Sequence, residues 1–436
     1  MNMKVLQTKR HLIDGKIIIG IDPSKKKHQA VALDPKGIPM SNSFAFKNSY
    51  EGFNEELWKK LDPIIGKPSP DRVIFAIEVS INFWQKLSYF LKHKGFTVLL
   101  VSPMVTKYER KRISRNFSRT DPRDALLVAN GARQGYYHIY REFSPESEAL
   151  HRLAITYDKL KKQLVATKQR LMAQTELIFP ELMDLMDIDT DSARYLLSMA
   201  MTPQDFKDRV GLNEASRMAT LSRRHYGHQT VIDLKKSADK SIGIPLVGPG
   251  HIAERLTMNV WLQQILVLRL QRKQILDEMT RLAKQTPWYE ILTSIMGISD
   301  VSASRFIAEN RNLSELPHFK KIQAFAGMSL KIDESGEYSG NRHITHIGNP
   351  RLRAVLYKMT EETKNYVPEV RIRFLKRQMK HRWYTENVVA CSSNLLKLIT
   401  ALIKENRTYQ EDPNKIKELK KIEKKYQQYL AEKQAA

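Results

Sequence analysis

The chain has little cysteine, a shortage of acidic residues and no long apolar run, and each shortage excludes a class of protein. Cys391 is the only cysteine in 436 residues, which excludes an internal disulfide framework and fits a reducing cytoplasm. No set of Cys and His has zinc-site spacing, so any bound metal should be a hard cation held by oxygen. The apolar run Ile17–Ile21 is too short for a signal peptide, and no stretch approaches the ~20 apolar residues of a membrane span. These shortages predict a cytoplasmic protein with no membrane partner.

The shortage of acids leaves a large positive charge. The chain has 72 Lys and Arg against 47 Asp and Glu, a formal net charge of +25, and the excess is spread over its whole length. Such a balance predicts a polyanionic partner, with nucleic acid first and an acidic membrane surface second. The length predicts about two to four domains.

Four of the acids stand in an order that suits a two-metal site. Asp22 and Glu78 each end an apolar run, and Asp121 and Asp124 begin a helical pattern as Asp-Pro-Arg-Asp. Carboxylates at the ends of buried strands, with two more one helical turn apart, can converge on a pair of Mg²⁺ ions. Asp34 also ends a strand-like run, but its Asp-Pro-Lys-Gly context favours a turn. The four acids indicate phosphodiester chemistry.

The first 140 residues have the pattern of an α/β domain. Strand-like runs fall at 16–22, 28–34, 42–46, 72–78 and 96–101, and helical patterns at 51–61, 82–93 and 121–133. The order β-β-β-α-β-α-β-α is that of a ribonuclease H-like fold, and the four acids lie where that fold places metal ligands. A basic run, which includes Arg112, Arg115 and Arg119, leads into the last acid pair and is predicted to guide the nucleic-acid backbone.

From Leu150 the spacing becomes that of long helices. The stretches 150–178 and 261–282 keep apolar residues three and four apart, with Arg272 the one mismatch. This predicts coiled-coil helices, packed antiparallel within one chain or paired between subunits. Between them, residues 185–255 form an insertion with weak periodicity. Its basic and aromatic stretch contains Arg223 and Arg224, and we expect it to bind nucleic acid.

A second group of candidate residues follows Pro287. A helix, a turn at Gly297 and a second helix resemble a helix-hairpin-helix, which directs backbone N–H groups at a phosphate. Ser335 then precedes several cations, which lower the energy of an alkoxide and of a phosphorane, so it is a candidate nucleophile. Ser329 and Ser339 are alternatives that spacing hardly separates. The cations are Arg342, His343, His346, Arg351 and Arg353, and a further basic stretch from Arg371 to Arg382 is also expected to contact phosphates.

Together these motifs resemble the DEDD transposases of the insertion-sequence one-ten family. The four acids match those of the family's RuvC-like domain. The hallmark blocks of its C-terminal transposase domain correspond to Gly297 with Ala303, to Ala326-Gly327-Met328, to Ser335-Gly336 and to Gly348-Asn349-Pro350-Arg351-Leu352-Arg353. By this match Ser335 aligns with the family's catalytic serine. The chain departs from the family at Glu334, where a second serine is common, at Ser299 in the hairpin, and in the long insertion.

The resemblance implies a bridge-RNA-guided recombinase. In such an enzyme the acids bind Mg²⁺, the serine attacks the scissile phosphate, and a structured non-coding RNA pairs with donor and target DNA. Family members assemble as homo-oligomers, either dimers or tetramers. The implied domains are a RuvC-like DEDD domain at 1–140, a coiled-coil region at 145–285 with the insertion at about 185–255, a mainly α-helical transposase domain at 286–405 carrying the serine, and a basic tail at 406–436.

The residues alone leave other functions open. A metal-dependent, structure-specific nuclease of the Holliday-junction-resolvase type needs the four acids but forms no covalent intermediate. A site-specific DNA invertase would use the same chemistry as a transposase. A non-catalytic nucleic-acid-binding protein is disfavoured, because clustered carboxylates repel one another without a cation.

Overall fold

The fold is that of a computed structural model, which describes residues 3–113, 121–311, 313, 318–331, 334–335, 338–339, 343–380 and 383–435. The chain divides into two compact units, Met1–Glu142 and Phe143–Ala436. The division falls where the sequence changes from an α/β pattern to long helical spacing.

A mixed β-sheet forms the centre of the first unit. Within the described residues, six strands lie in the order β3-β2-β1-β4-β5-β6. They are β1 (Ile17–Asp22), β2 (Lys27–Leu33), β3 (Phe44–Lys47), β4 (Val73–Glu78), β5 (Thr97–Val101) and β6 (His138–Ile139). Strands β1, β4 and β5 are parallel to one another, whereas β2, β3 and β6 run antiparallel to their neighbours. The five predicted strand runs correspond to β1 to β5, and β6 is an additional short strand.

Helices cover both faces of this sheet, and each face has its own core. The helices are α1 (Met3–Ile13), a π-helical turn (Gly52–Glu56) that runs into α2 (Leu57–Ile65), α3 (Phe83–His93), α4 (Pro103–Ile113) and α5 (Asp121–Arg133). In β4, Phe75 faces the core under α2 and α3, while Ile74 faces the core under α5. Burial on both faces explains why β1 and β4 are almost continuously apolar in sequence.

Two long antiparallel helices organise the second unit, α6 (Pro145–Ile178) and α12 (Pro249–Lys284). Gln174, near the end of α6, donates to Glu254, near the start of α12. Further along the pair, the Arg272 guanidinium lies 5.9 Å from the centre of the Tyr157 ring. This cation–π contact explains the one polar residue in the apolar series. Of the two arrangements that the sequence allows, the structure contains the one within a chain.

At one end of the long pair, the insertion forms a small helical bundle. Its helices are α7 (Glu181–Leu185), α8 (Asp191–Met199), α9 (Pro203–Arg209), α10 (Leu212–Leu221) and α11 (His228–Ala238). They pack around Phe179 and Phe206, whose rings are 5.0 Å apart. Thr190 caps α8, and Thr202 with Asp205 forms a capping box on α9. The five helices are each too short to repeat an apolar spacing, which explains the weak periodicity of this segment.

The other end of the pair packs into a second helical core. Its helices are α13 (Trp288–Thr293), α14 (Asp300–Asn310), α15 (Phe319–Phe325), α16 (Pro350–Thr363), α17 (Pro368–Gln378), α18 (Tyr384–Glu405) and α19 (Pro413–Ala435). Two short β-pairs interrupt them, β7 (Leu330–Lys331) with β10 (His343–Ile344) and β8 (Glu334–Ser335) with β9 (Tyr338–Ser339). Helix α19 docks on α17 through the ion pairs Arg371–Glu423 and Lys376–Glu418.

Helix α18 is the one helix among the described residues that is long and apolar enough, by length and composition, to cross a membrane. No stretch of this kind is predicted from the sequence. One face of the helix, which includes Cys391, Leu395 and Ile399, is buried in the core of the second unit. Such burial is the behaviour of a core helix.

Candidate active site

Asp22 and Glu78 lie at the same edge of the sheet. Strands β1 and β4 are parallel and in register from Ile17 opposite Val73 to Ile21 opposite Ile77. The two acids are the next residue of each strand, and both are half-buried. The carboxyl ends of adjacent parallel strands are where α/β proteins commonly bind ligands. The strand register thus brings these two predicted site residues together.

Helix α5 reaches this edge because Gly20 has no side chain. A Cβ at Gly20 would stand 2.3 Å from the carbonyl oxygen of Ala125 and 2.6 Å from the Cβ of Ala129. At the far end of the helix, Arg133 donates to the carbonyl of Lys36 in the turn after β2. The helix therefore runs antiparallel to β1. Its first turn, which carries Asp121 and Asp124, faces the end of the sheet where Asp22 lies.

Helix α4 supplies a partner to two of the acids. Thr106 Oγ1 donates to Glu78 Oε1 over 2.5 Å, and this threonine is almost fully buried. Arg110 Nη2 lies 2.5 Å from Asp124 Oδ1, and both side chains are only 17% exposed. Neither partner is identified by the sequence analysis, because nothing in the local pattern of α4 indicates a contact across the sheet edge.

A metal site is not assembled by the side chains that the structure describes. Within them, no three His, Cys, Asp or Glu residues are grouped so as to hold a common ion. The side chain of Asp121 lies outside the described part. The predicted basic residues Arg115 and Arg119, and the side chain of Arg112, also lie outside it.

Asp34 accepts from the backbone N–H of Ile38 over 2.8 Å and closes the expected turn.

A buried histidine fixes the turn that follows Asp22. His28 is fully buried against Phe46 and Phe53, and its Nδ1 accepts from the backbone N–H of Ser24 over 3.2 Å. Burial lowers the pKa of His28 to about 4, so the ring is neutral at physiological pH. The turn holds an exposed lysine run, Lys25–Lys27. These three consecutive lysines are visible in the sequence as a basic run beside Asp22 that is not predicted to be part of the site.

In the second unit, Ser335 lies in a short β-hairpin. It is paired in β8 with Tyr338 of β9. The side chains of Ser335 and Ser339, and the whole of Arg342, lie outside the described residues. Ser329 is half-buried, and its carbonyl accepts from Thr345 N–H over 2.8 Å.

Two of the predicted motif blocks, Ala326-Gly327-Met328 and Gly348–Arg353, contact each other beside these strands. We call this contact the joint of motif blocks. Arg353 Nη1 donates to the carbonyl of Ala326 over 2.9 Å, and Asn349 N–H donates to the carbonyl of Phe325 over 2.7 Å. Gly327 has a φ of +67°, and a Cβ at Gly348 would stand 2.4 Å from the Phe325 carbonyl oxygen. Both glycines are therefore required by close backbone packing. In this structure the guanidinium of Arg353 is engaged by backbone carbonyls.

A buried acid, Glu309, ties this joint to α14. Its side chain is only 2% exposed; Oε1 lies 2.7 Å from Arg351 Nε and Oε2 lies 2.6 Å from Asn349 Nδ2. The Asn349 side chain also caps α16 by accepting from the N–H groups of Arg351 and Leu352. Glu309 is another residue that the sequence analysis misses. It is a lone acid after the apolar series Phe306-Ile307-Ala308, and its partners are 40 and 42 residues away in the sequence.

The turn at Gly297 lies against the end of α16. Gly297 has a φ of +96°, and a Cβ there would stand 3.0 Å from the carbonyl carbon of Glu362. Ser299, which departs from the family pattern, caps α14 by accepting from the Ser302 N–H. A serine at this position is explained by the need for a helix cap.

Several cations that the sequence assigns to phosphates have protein partners here. Arg373 donates to Asn394 and Arg377 to Asn387, while α17 reaches α19 through the two ion pairs described above. His346 is exposed and has a φ of +54°. Lys380 is exposed, and Arg382 lies outside the described residues.

Two family models match the chain. One, described as a transposase (DEDD_Tnp_IS110), matches residues 19–180, and the other, described as "Transposase IS116/IS110/IS902 family", matches residues 289–373. Together they match more than half of the chain. The first match spans all four acids, and the second spans Gly297 and Ser335. No curated protein matches the chain significantly.

The contact at Gly20 predicts an effect on stability. Gly20→Ala should lower the free energy of unfolding by about 1–3 kcal/mol, because the new Cβ meets the backbone of α5. Gly250→Ala is the control, since a Cβ there has no neighbour within 4 Å. Thermal unfolding of the two full-length variants provides the measurement. An unchanged midpoint for Gly20→Ala would show that α5 does not lie this close to β1.

The contacts of Glu309 predict a second effect. Glu309→Ala should lower the free energy of unfolding by about 3 kcal/mol, because it leaves Arg351 and Asn349 without their buried partner. Glu309→Gln should have a smaller effect, since an amide keeps part of the hydrogen bonding. The control is Glu278→Ala, which removes an exposed partner of Arg281 and should leave the midpoint unchanged. Equal effects of Glu309→Ala and the control would contradict this role.

Proposed function

Because the chain belongs to the IS110-family DEDD transposases, we propose that it recombines donor and target DNA under the guidance of a structured non-coding RNA. Membership of this family makes the protein an enzyme that acts on DNA. It also gives the first unit an RNase H-like fold, in agreement with the predicted fold class and with the mixed sheet. The observation that best supports catalysis is the shared sheet edge, which brings Asp22 and Glu78 together with the Asp124 end of α5.

Asp22, Glu78, Asp121 and Asp124 are the proposed ligands of Mg²⁺. DEDD transposase domains typically use divalent metals, and carboxylate oxygens are the donors that Mg²⁺ prefers. When bound, the metal stabilises the negative charge that develops on the scissile phosphate. Thr106 would hold Glu78 in one orientation through its hydrogen bond, and Arg110 would offset the charge of Asp124 until a cation takes over.

Ser335 is the proposed nucleophile. Its Oγ would attack the scissile phosphorus and lose its proton, so that a phosphoserine bond forms. At the same time the bond from phosphorus to the leaving deoxyribose oxygen would break, and that oxygen would be protonated. Attack by a deoxyribose hydroxyl of a second strand would reverse this step and release the serine, so that the energy of the phosphodiester bond is retained. The joint of motif blocks described above supports this assignment, because it fixes the chain on both sides of the serine hairpin.

Guidance by RNA agrees with the charge of the protein. A protein of net charge +25 can hold nucleic-acid backbones, while base pairing between RNA and DNA supplies the sequence specificity.

We also propose that subunits associate through α12. Its face away from α6 exposes apolar residues at helical spacing, namely Ile252, Leu256, Val260, Val267 and Leu270. The proposed domains keep the boundaries given by the sequence analysis.

Substitution of the nucleophile and of an acid tests the chemistry. Ser335→Ala and Asp22→Ala should each reduce recombination of a donor and target pair at least roughly a thousandfold, because each removes a group that the reaction cannot replace. Ser329→Ala and Ser339→Ala are the matched controls. Recombination is measured with the full-length protein and its co-purified RNA, and denaturing gels detect a protein–DNA adduct.

The outcomes separate the possible functions. Loss with Ser335→Ala, together with an adduct that this variant lacks, supports the serine mechanism. Cleavage that needs Asp22 but proceeds normally in Ser335→Ala, with no adduct, would replace the proposal with a metal-dependent nuclease. Products that invert a segment in place would indicate an invertase. Full activity without RNA would reject guidance.

The hydrogen bond from Thr106 to Glu78 predicts a change in metal dependence. Thr106→Val keeps the shape of the side chain but removes the donor, and should raise the Mg²⁺ concentration needed for half-maximal cleavage roughly 10–100-fold. Thr106→Ser should restore the wild-type value, because the hydroxyl returns. A Mg²⁺ titration of cleavage, with thermal unfolding as the check on the fold, gives the measurement. A wild-type titration curve for Thr106→Val would rule out this positioning role.

A further inference from the structure

We propose that the turn Ser222–Gly227, which joins α10 to α11 in the helical bundle, is a binding element for nucleic-acid phosphates, with Arg223 and Arg224 as its contact residues. This role is separate from the chemistry of the acids and of Ser335. The bundle contributes none of the proposed catalytic residues.

The backbone of this turn indicates that its side chains have a role. Arg223 and Arg224 have φ angles of +53° and +68°, so two consecutive non-glycine residues occupy the left-handed region. Residues with a Cβ rarely adopt this conformation, and glycine or asparagine is the usual choice. Strained residues of this kind cluster at functional sites. Arg223 directly follows the C-cap of α10, where a left-handed residue is a common helix ending, whereas a second left-handed residue at Arg224 goes beyond what that ending requires.

The turn is held firmly by its own hydrogen bonds. Arg224 N–H donates to the Ala219 carbonyl over 2.7 Å. Ser222 Oγ accepts from Tyr226 N–H over 2.9 Å and donates to the Met218 carbonyl over 2.7 Å. The Tyr226 hydroxyl accepts from the backbone N–H of Asp187 over 3.1 Å, which ties the turn to the segment before α8. The two arginines therefore extend from a fixed support.

Both guanidinium groups are available to a ligand. Arg223 and Arg224 are exposed, and within the described residues neither side chain has an ion pair or hydrogen bond. The other arginines of the bundle differ, since Arg194 pairs with Asp191 and Arg209 with Asp205. Only Arg217, which lies in the same basic segment, also has no partner within that part of the chain.

The surrounding sequence favours a polyanion as the ligand. The stretch 215–232 contains no acid, whereas it holds three arginines and two histidines. A single carboxylate would satisfy one guanidinium, but adjacent arginines on a fixed turn match the repeated phosphates of a nucleic-acid strand. Phosphate contacts of this kind contribute affinity without reading bases.

A double substitution tests the proposal. In Arg223→Asn/Arg224→Asn the side chains lose their charge, while asparagine tolerates a positive φ, so the fold should be retained. The control is Lys236→Asn/Lys240→Asn, which removes the same charge from exposed lysines of the same bundle. Full-length proteins are titrated over a series of salt concentrations with three labelled probes of equal phosphate number: a duplex DNA, a single-stranded DNA and an RNA hairpin.

The arginine variant should bind at least one probe roughly tenfold more weakly, with a salt dependence reduced by about 1–2 in log–log slope, and the control should change much less. The probe whose binding is weakened shows whether the phosphates belong to duplex DNA, single-stranded DNA or RNA. The thermal unfolding midpoint of the arginine variant should equal or exceed that of the wild type, because asparagine adopts a positive φ with less strain than arginine. If the arginine variant binds all three probes as tightly as the control variant does, the proposal is overturned. Recombination of DNA that the variant still binds would leave the proposed catalysis intact.

Discussion

The approach of α5 to β1 at Gly20 is the contact on which the acidic edge depends. Asp22 and Glu78 are placed by strand register, which is fixed over the five residues that precede each acid in β1 and β4. Asp124 belongs to helix α5, whose distance from the strands depends on the size of the side chains between them. Glycine at position 20 and alanine at 125 and 129 bring the helix backbone as close as it can lie. Gly131 repeats this device against Val105, which also brings α4 and its residue Thr106 close.

The second unit uses a buried charge where the first uses small side chains. Glu309 holds Asn349 and Arg351, and Asn349 in turn caps α16. A buried carboxylate contributes little net stability, because the cost of removing it from water is offset only by well-formed partners. The buried carboxylate instead favours the one arrangement of the chain in which both Asn349 and Arg351 reach it.

Local pattern predicts the parts of this fold whose burial is regular. Strands β1 and β4 are evident because both faces are buried, and α6 and α12 because they are long enough to repeat their spacing many times. Helix α4 is missed because charged residues dominate it, and α7 to α11 because each is too short to show a period. The contacts of Thr106, Arg110 and Glu309 join residues that are far apart in the sequence. A local sequence pattern therefore cannot reveal them. The protein partners of Arg351, Arg353, Arg373 and Arg377 are not evident from sequence for the same reason.

Net charge alone therefore does not locate a nucleic-acid surface in this protein. Sequence weighs every arginine equally, yet Arg110, Arg351 and Arg353 are engaged with protein groups and α17 is tied to α19 by ion pairs. An arginine that already neutralises a buried acid can contact a phosphate only through its remaining N–H donors and at some cost to its pairing with that acid. Cations without protein partners carry no such cost. Lys25–Lys27 beside Asp22 and the Arg223-Arg224 turn are exposed and lack ion pairs within the described chain, so a phosphate can approach them without displacing a protein partner.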